Sequence, residues 1–136
     1  MAKKVHVHAV ENDQAALANL DSAARSITGS KTVTCEKRDL FRRPLSAKEF
    51  ACFECVVFDP PRAGAEEQAR ELAKTKILRV IAISCNPVTF ARDISLLVAG
   101  DYTIEQVIPI DQFLWSPHGE VIAVLSKRKA KAGWRL

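Results

Sequence analysis

An α/β fold with a mostly parallel sheet is predicted by three features of the 136-residue chain. Segments patterned as strands alternate with segments patterned as helices, an order that builds a parallel sheet flanked by helices. Two short runs, Cys55-Val56-Val57-Phe58 and Arg79-Val80-Ile81-Ala82-Ile83-Ser84, have the continuous apolar character of strands buried on both faces. Glu11, Asp59, Cys85 and the 111–120 loop each follow the end of a predicted strand, the end at which open α/β sheets bind ligands.

Residues 4–10 alternate with period two and are rich in Val, which predicts a first strand ended by Glu11-Asn12-Asp13. From Asp13, residues Ala16, Leu20, Ala23 and Ile27 recur as one helical stripe, and Gly29 stops it. Residues 32–36 predict a second strand and 37–44 a polar loop, after which Ser46 and Glu49 have capping-box spacing for a brief helix. The strand over 55–58 ends at Asp59-Pro60-Pro61, and a helix is expected over 66–74. After the strand over 79–84, Asn86-Pro87 supplies an N-cap and a first-turn proline for a helix to about Val98, closed by Gly100. Two final strands are predicted over 102–111 and 121–126, joined by the loop 112–120. There is no internal repeat; one domain over 1–136 with a basic tail over 127–136 is expected.

The composition, 48% hydrophobic and 26% charged, excludes disordered, collagen-like and disulfide-scaffold classes and suits one globular domain. No apolar run approaches the roughly 20 residues that span a bilayer. The start, Met1-Ala2-Lys3-Lys4-Val5, lacks an export pattern, so a cytoplasmic protein is expected. Twenty Lys and Arg against sixteen Asp and Glu leave +4, a surplus that tolerates nucleic acid as a partner without demanding it. Lys127-Arg128-Lys129-Ala130-Lys131 reads as a solvated end, with phosphate contact as the other reading. Cys35, Cys52, Cys55 and Cys85 are expected as reduced thiols.

Glu11 stands where nucleoside-binding folds place the carboxylate that accepts ribose hydroxyls, and the position equally suits a solvated acid. Asp59-Pro60-Pro61-Arg62 is sharper: two prolines stiffen the exit of a strand and aim the carboxylate into the crevice, while Arg62 suits a phosphate or Glu66. Cys85 lies at a strand tip just before a helix, whose partial positive charge favours a thiolate nucleophile; a structural cysteine is the other reading. Cys52 and Cys55 form a lone CxxC better explained by packing than by zinc, and His6 and His8 lack a third ligand, so no metal is expected. Glu120 suits a general base or a solvated hairpin acid, and Phe113 and Trp115 suit base stacking or loop packing.

Together, Asp59-Pro60-Pro61-Arg62-Ala63-Gly64, Ser84-Cys85-Asn86-Pro87-Val88-Thr89-Phe90-Ala91-Arg92-Asp93, and Asp111-Gln112-Phe113 with His118-Gly119-Glu120 resemble the RNA uracil-5 methyltransferases, from about Val5 to Lys127. The resemblance implies a Rossmann-like class I methyltransferase fold with a C-terminal antiparallel strand, S-adenosylmethionine as cofactor and an RNA substrate, ribosomal rather than transfer RNA. It implies Cys85 as the nucleophile that attacks carbon 6 of uracil and Glu120 as the base that removes the carbon 5 proton. It also implies Glu11 on the cofactor ribose, Asp39 at the adenine, and Asp59 between cofactor and uracil, with Arg62 and Phe113 toward the substrate. The target base must leave its stack to reach Cys85.

Departures accompany the match. Leu114 and Trp115 stand where the family usually has a proline after the phenylalanine, and Gly119 replaces a larger apolar residue. The family's first strand and glycine-rich loop have no counterpart, and Gly29, Gly64, Gly100, Gly119 and Gly133 form no GxG pair. The resemblance places that strand at the sheet centre, so an upstream N-terminal region or a second chain is expected to complete the sheet, with weak or no cofactor binding by the isolated chain. The competing expectation is a non-catalytic, RNA-binding remnant of the fold. Adenine amino-methyltransferases and RNA cytosine-5 enzymes fit poorly, because Arg62 replaces the aromatic of the former and Ala63-Gly64 the second cysteine of the latter.

Overall fold

The Val-rich alternation at the start forms β1, Val7–Glu11, which pairs in parallel with β2, Val33–Lys37, from Val7 opposite Val33 to Glu11 opposite Lys37. The computed structural model describes residues 5–27, 32–111 and 119–127, and the chain divides into two compact units, Met1–Arg43 and Pro44–Leu136.

In the first unit, α1 (Gln14–Ser26) connects the two strands. Asp13 caps it as expected, accepting from the N–H groups of Ala15 at 2.8 Å and Ala16 at 3.3 Å. The expected apolar stripe is corrected: Leu20 and Ile27 are exposed, as are Ala16 and Ala23, and the buried residue is Leu17. A sheet of two five-residue strands is too narrow to cover a broad stripe, and a single line through Leu17 and half-buried Ala24 is what it shields. His8 is drawn into a cross-strand network rather than left on an open face. Its Nδ1 lies 2.8 Å from Thr34 Oγ1 and its Nε2 3.3 Å from Glu36. Arg38 bonds Glu36 at 2.6 Å, and that bond, helped by His8, holds the Glu36 carboxyl below the usual range against the opposing effect of burial.

The second unit holds β3 (Cys55–Phe58), β4 (Arg79–Ser84), β5 (Tyr102–Ile110) and β6 (Glu120–Lys127), in the order β3-β4-β6-β5. β3, β4 and β5 run one way, and β6 lies between β4 and β5 running against both, the antiparallel C-terminal strand that was expected. The single sheet expected is corrected to two among the described residues, a parallel pair β1–β2 and a four-stranded mixed sheet in which β6 alone runs against its neighbours. The cause is the return of β6 alongside β5, which puts antiparallel ladders on both sides of the last strand.

Burial on both faces is also corrected. β4 alternates, with Val80, Ala82 and Ser84 buried, while β3 exposes Cys55 and Val57 because it is an edge strand with β4 as its one neighbour among the described residues. The other edge, β5, is largely exposed but is interrupted by a bulge between Ile104 and Gln106 and by Pro109, two devices that discourage further strand pairing.

Helices α2 (Glu66–Ala73) and α3 (Pro87–Ala99) pack on each other. Leu72, Leu97, Leu125 and Val80 are fully buried, each worth about 1.5–3 kcal/mol of transfer free energy. Asn86 caps α3 by accepting from Val88 N–H at 3.0 Å, and Pro87 follows in the first turn, as read from the sequence. Gly100 closes α3 for a second reason: a Cβ there would lie 2.6 Å from the Cβ and carbonyl oxygen of Ala73. The left-handed residue of the turn is Asp101, at φ 70°. The Ser46–Glu49 capping box forms, with Ser46 N–H and Oγ both 2.8 Å from the Glu49 carboxylate, and starts a short 3-10 helix over Glu49–Cys52. Gln68 ties the preceding segment down, exchanging two 2.9 Å hydrogen bonds with the Leu45 backbone.

Lys127 does not belong to a solvated tail. It ends β6, donates to the carbonyls of Ala73 at 3.0 Å and Thr75 at 2.7 Å, and lies 4.8 Å from the Tyr102 ring centroid, so it neutralises the C-terminal end of α2. Residues 128–136 lie outside the described residues. No helix among the described residues is long and apolar enough to cross a membrane.

Candidate active site

Strand register brings three of the predicted residues of the second unit to one end of its sheet. The β4–β6 ladder ends with Ser84 opposite Val121, and Cys85 and Glu120 are the next residues beyond that rung on the two sides. Phe58 pairs with Ala82, so Asp59 leaves β3 at the level of Ile83, beside the same end of β4. Because β6 runs against β4, the first residue of β6 and the residue after β4 share that end, and a thiol and a carboxylate far apart in sequence come to the same end of the sheet. Cys85 and Glu120 are both half-buried, and Asp59 is exposed.

Cys85 sits between two fixed points. Ser84 is buried, and its hydroxyl donates to the Asn86 carbonyl and accepts from the Asn86 N–H, both at 3.1 Å, which holds the turn from β4 into α3. The thiol therefore stands directly before the N-cap of α3, as the sequence predicts.

The segment after Asp59 is clamped from α3, an arrangement the sequence reading did not identify. Arg62 carbonyl accepts from Asn86 Nδ2 at 2.9 Å and Thr89 Oγ1 at 3.1 Å, and Ala63 carbonyl accepts from Arg92 Nη2 at 3.1 Å. Ala65 N–H donates to Asp93 Oδ2 at 2.6 Å, and Asp93 also accepts from Arg92 Nε and Nη2 at 2.9 and 2.8 Å. Asp93 is 2% exposed, so a carboxylate lies in the core with its oxygens bonded to charged and backbone donors.

Gly64 makes this clamp possible. It adopts φ +80°, and a Cβ would come within 2.5 Å of Arg92 Nη2 and 2.7 Å of Asp93 Oδ2. Its N–H closes a turn onto the Pro61 carbonyl at 2.8 Å. Glu66 is engaged by Arg70 at 2.6 Å and Arg92 at 3.4 Å, and the Arg70 bond chiefly keeps its carboxyl below the usual range. The sequence signal for the clamp is Arg92-Asp93, a pair of charged residues in a helix that has no others.

The other predicted residues lie elsewhere or outside the description. In the first unit, Glu11 ends β1, and its Oε1 accepts from the N–H groups of Asn12 at 2.6 Å and Asp13 at 3.0 Å. Asp39 Oδ1 accepts from Phe41 and Arg42 N–H at 3.0 and 3.3 Å, bracing the turn after β2, with Oδ2 3.7 Å from Arg42 Nε. Phe113, Trp115 and His118 fall outside the described residues. The cysteines are free thiols. Cys52 Sγ donates to the Glu49 carbonyl, and burial pushes the Cys55 thiol pKa up against the pull of Arg79. No group of three metal-ligating side chains occurs among the described residues.

Comparison with known proteins identifies the family. Residues 3–128 match the family described as tRNA (Uracil-5-)-methyltransferase. An "Uncharacterized RNA methyltransferase" of Brucella melitensis is 64% identical over 127 residues, 93% of this chain and 31% of that protein. One of Caulobacter vibrioides is 44% identical over 93% of this chain and 31% of its own length. The chain thus spans about a third of the length of the curated relatives it matches. Among solved structures, the Pyrococcus abyssi tRNA (uracil-54, C5)-methyltransferase in complex with S-adenosyl-L-homocysteine has a TM-score of 0.76 at 30% identity, over 91% of this chain and 30% of that one. A SAM-dependent methyltransferase of Methanosarcina mazei, TM-score 0.62 at 12% identity over 93% of this chain and 84% of that one, shares the fold. The chain belongs to the tRNA (uracil-5-)-methyltransferase family.

Proposed function

We propose that this chain is the catalytic portion, continuous as one domain over 1–136, of an enzyme that methylates carbon 5 of a uridine in RNA. The observation that supports the reading is the β4–β6 register, which brings Cys85, Glu120 and Asp59 to one end of the sheet. Carbon 5 of uracil is a weak nucleophile. The Cys85 thiolate adds to carbon 6, the ring electrons move to carbon 5 and the adjoining carbonyl, and carbon 5 becomes able to take up a methyl group. Glu120 then removes the proton left on carbon 5, the ring double bond re-forms, and the Cys85 sulfur departs.

S-adenosylmethionine is the proposed source of the methyl group. The acceptor chemistry in the first unit suits its ribose: two backbone N–H groups hold Glu11 Oε1, and the second carboxylate oxygen would accept from the diol. Asp39 is a weaker fit for the adenine because its Oδ1 already braces a turn. Asp59 is assigned to the space between cofactor and uracil, and Arg62 and Phe113 to the substrate, with its target base turned out of the stack. Ribosomal RNA is the proposed substrate class, with transfer RNA as the competing one.

A second reading has one observation in its favour. Among the described residues β1 pairs with β2 alone and β3 with β4 alone, leaving an open edge on each. A module that holds RNA but binds the cofactor only when an upstream region or a second chain completes the sheet accounts for those edges.

Trapping on RNA containing 5-fluorouridine tests the chemistry, because fluorine replaces the proton that Glu120 removes and the adduct stalls. A gel-stable adduct requiring both S-adenosylmethionine and Cys85, absent in Cys85→Ala, is expected. Glu120→Gln is expected to accumulate adduct on ordinary uridine and to slow turnover by about 10²–10⁴. An adduct that survives Cys85→Ala refutes the assignment. Calorimetric titration with S-adenosylmethionine separates the two readings: binding abolished by Glu11→Ala supports the enzyme, and RNA binding without cofactor binding supports the module. Methyl incorporation compared between ribosomal and transfer RNA decides the substrate class.

A further inference from the structure

At the opposite end of the second unit from Cys85 lies a groove of about 420 Å³. Its floor includes Phe50, which is 2% exposed, Ile77, also buried, and half-buried Phe53. Lys48, Lys74 and Lys76 stand on its lining and are exposed, and no carboxylate is among the lining residues. Lys74 is paired with Glu71 at 2.5 Å, whereas Lys48 and Lys76 enter no ion pair among the described residues. Two anchors keep the groove in shape. Glu71 accepts from the Ala47 N–H at 3.1 Å, and Lys127 holds the Thr75 carbonyl on the other wall. Phe53 and Ile77 shortly precede β3 and β4, so the groove is separated from Cys85 by the length of β4, ~17 Å at about 3.3 Å per residue.

We infer that this groove is a second RNA contact, in which one base of a single-stranded segment rests on the apolar floor while Lys48 and Lys76 take its flanking phosphates. An apolar floor edged by unpaired ammonium groups complements a nucleotide strand, which presents a flat apolar face between anionic groups. The volume lies within the range of small-ligand sites and accommodates one base. The inference rests on the reading of the chain as an RNA enzyme. It adds that RNA on either side of the target is gripped at both ends of the sheet, so that the strand is held while one uridine is turned out.

The test is fluorescence anisotropy of the whole chain with a labelled single-stranded oligouridylate across a salt series. Lys48→Gln/Lys76→Gln is compared with the charge-matched pair Arg25→Gln/Lys37→Gln. Loss of two phosphate contacts lowers the slope of log K on log salt by about 1.4, which corresponds to roughly 25-fold weaker binding at about 0.1 M salt when the lines converge at 1 M. The control pair is expected to stay near the parent slope. No binding by the parent chain, an unchanged slope in the groove variant, or an equal loss in the control pair overturns the inference. Oligoglutamate binding with the same lysine dependence, in place of oligouridylate binding, also overturns it and makes the groove a site for acidic peptide. Cys85 trapping on 5-fluorouridine RNA is run alongside. Trapping with an unaltered slope defeats the groove alone, and lysine-dependent binding without trapping upholds the groove and favours the RNA-holding module over the enzyme reading of this chain.

Discussion

Replacing Asp93 with alanine removes the acceptor that joins α3 to the segment after Asp59. Asp93 is 2% exposed and receives three hydrogen bonds, at 2.6 Å from Ala65 N–H and at 2.9 and 2.8 Å from Arg92. Bonds to charged groups contribute about 1.5–3 kcal/mol each. The full sum is not lost, because Arg92 is partly exposed and keeps Ala63 carbonyl at 3.1 Å and Glu66 at 3.4 Å. A loss of about 3–4 kcal/mol is expected for Asp93→Ala, in line with removal of one partner from a buried charged pair. Asp93→Asn keeps an acceptor and is expected to lose about 1–2 kcal/mol. Urea unfolding followed by circular dichroism, with unchanged m-value, measures both, and Tm falls by about 10 °C in the alanine variant. The double variant with Arg92→Ala should show a coupling of about 1–2 kcal/mol. An Asp93→Ala protein within about 0.5 kcal/mol of the parent refutes the clamp, since no other explanation of the buried carboxylate would leave so small a loss.

Gly64→Ala forces a Cβ to within 2.5 Å of Arg92 at φ +80°, and about 2–4 kcal/mol of stability is expected to go, read by the same urea titration. Tyr102→Phe deletes the hydroxyl that donates to Ile77 carbonyl at 2.9 Å and lies 3.1 Å from Thr75, at about 1–2 kcal/mol. Burial raises the Tyr102 pKa, so its neutral form stabilises the fold below the ordinary phenol value of about 10; that contribution is lost as pH rises through the higher folded value, and the phenylalanine variant should lack this alkaline loss. At the acid end, Glu36, Glu66 and Glu71 are held below the ordinary carboxylate range chiefly by bonds from Arg38, Arg70 and Lys74. Their contribution is present above about pH 4.3 and is lost as pH falls through the folded values, so the urea midpoint should drop from about pH 5 to about pH 3, and less so in Glu71→Gln.

Local signals carried most of the element boundaries. Asn86-Pro87 at the start of α3, the Ser46–Glu49 box and Asp13 before α1 act through bonds to backbone groups a few residues away, and such bonds are written in contiguous sequence. Faces were less legible. In α1 the apolar spacing selected Ala16, Leu20, Ala23 and Ile27, yet the narrow two-stranded sheet shields Leu17. In β3 an apolar run suggested a strand covered on both sides, and the edge position exposes Cys55 and Val57.

For the candidate site, the residue types and their places at strand ends were readable because each is a property of a short segment: Asp59 after β3, Cys85 between β4 and α3, Glu120 at the start of β6. What brought Cys85 and Glu120 to one end of the sheet is the insertion of β6 between β4 and β5, a pairing whose last rung, Ser84↔Val121, joins residues 37 positions apart. The α3 clamp on residues 62–65 and the capture of Lys127 by the end of α2 have the same character. The sequence by itself determined the elements, their caps and the chemistry available at each strand end. Only the tertiary structure decided which of those ends meet, because strand order and buried hydrogen-bond partners depend on contacts between distant segments that no local periodicity encodes.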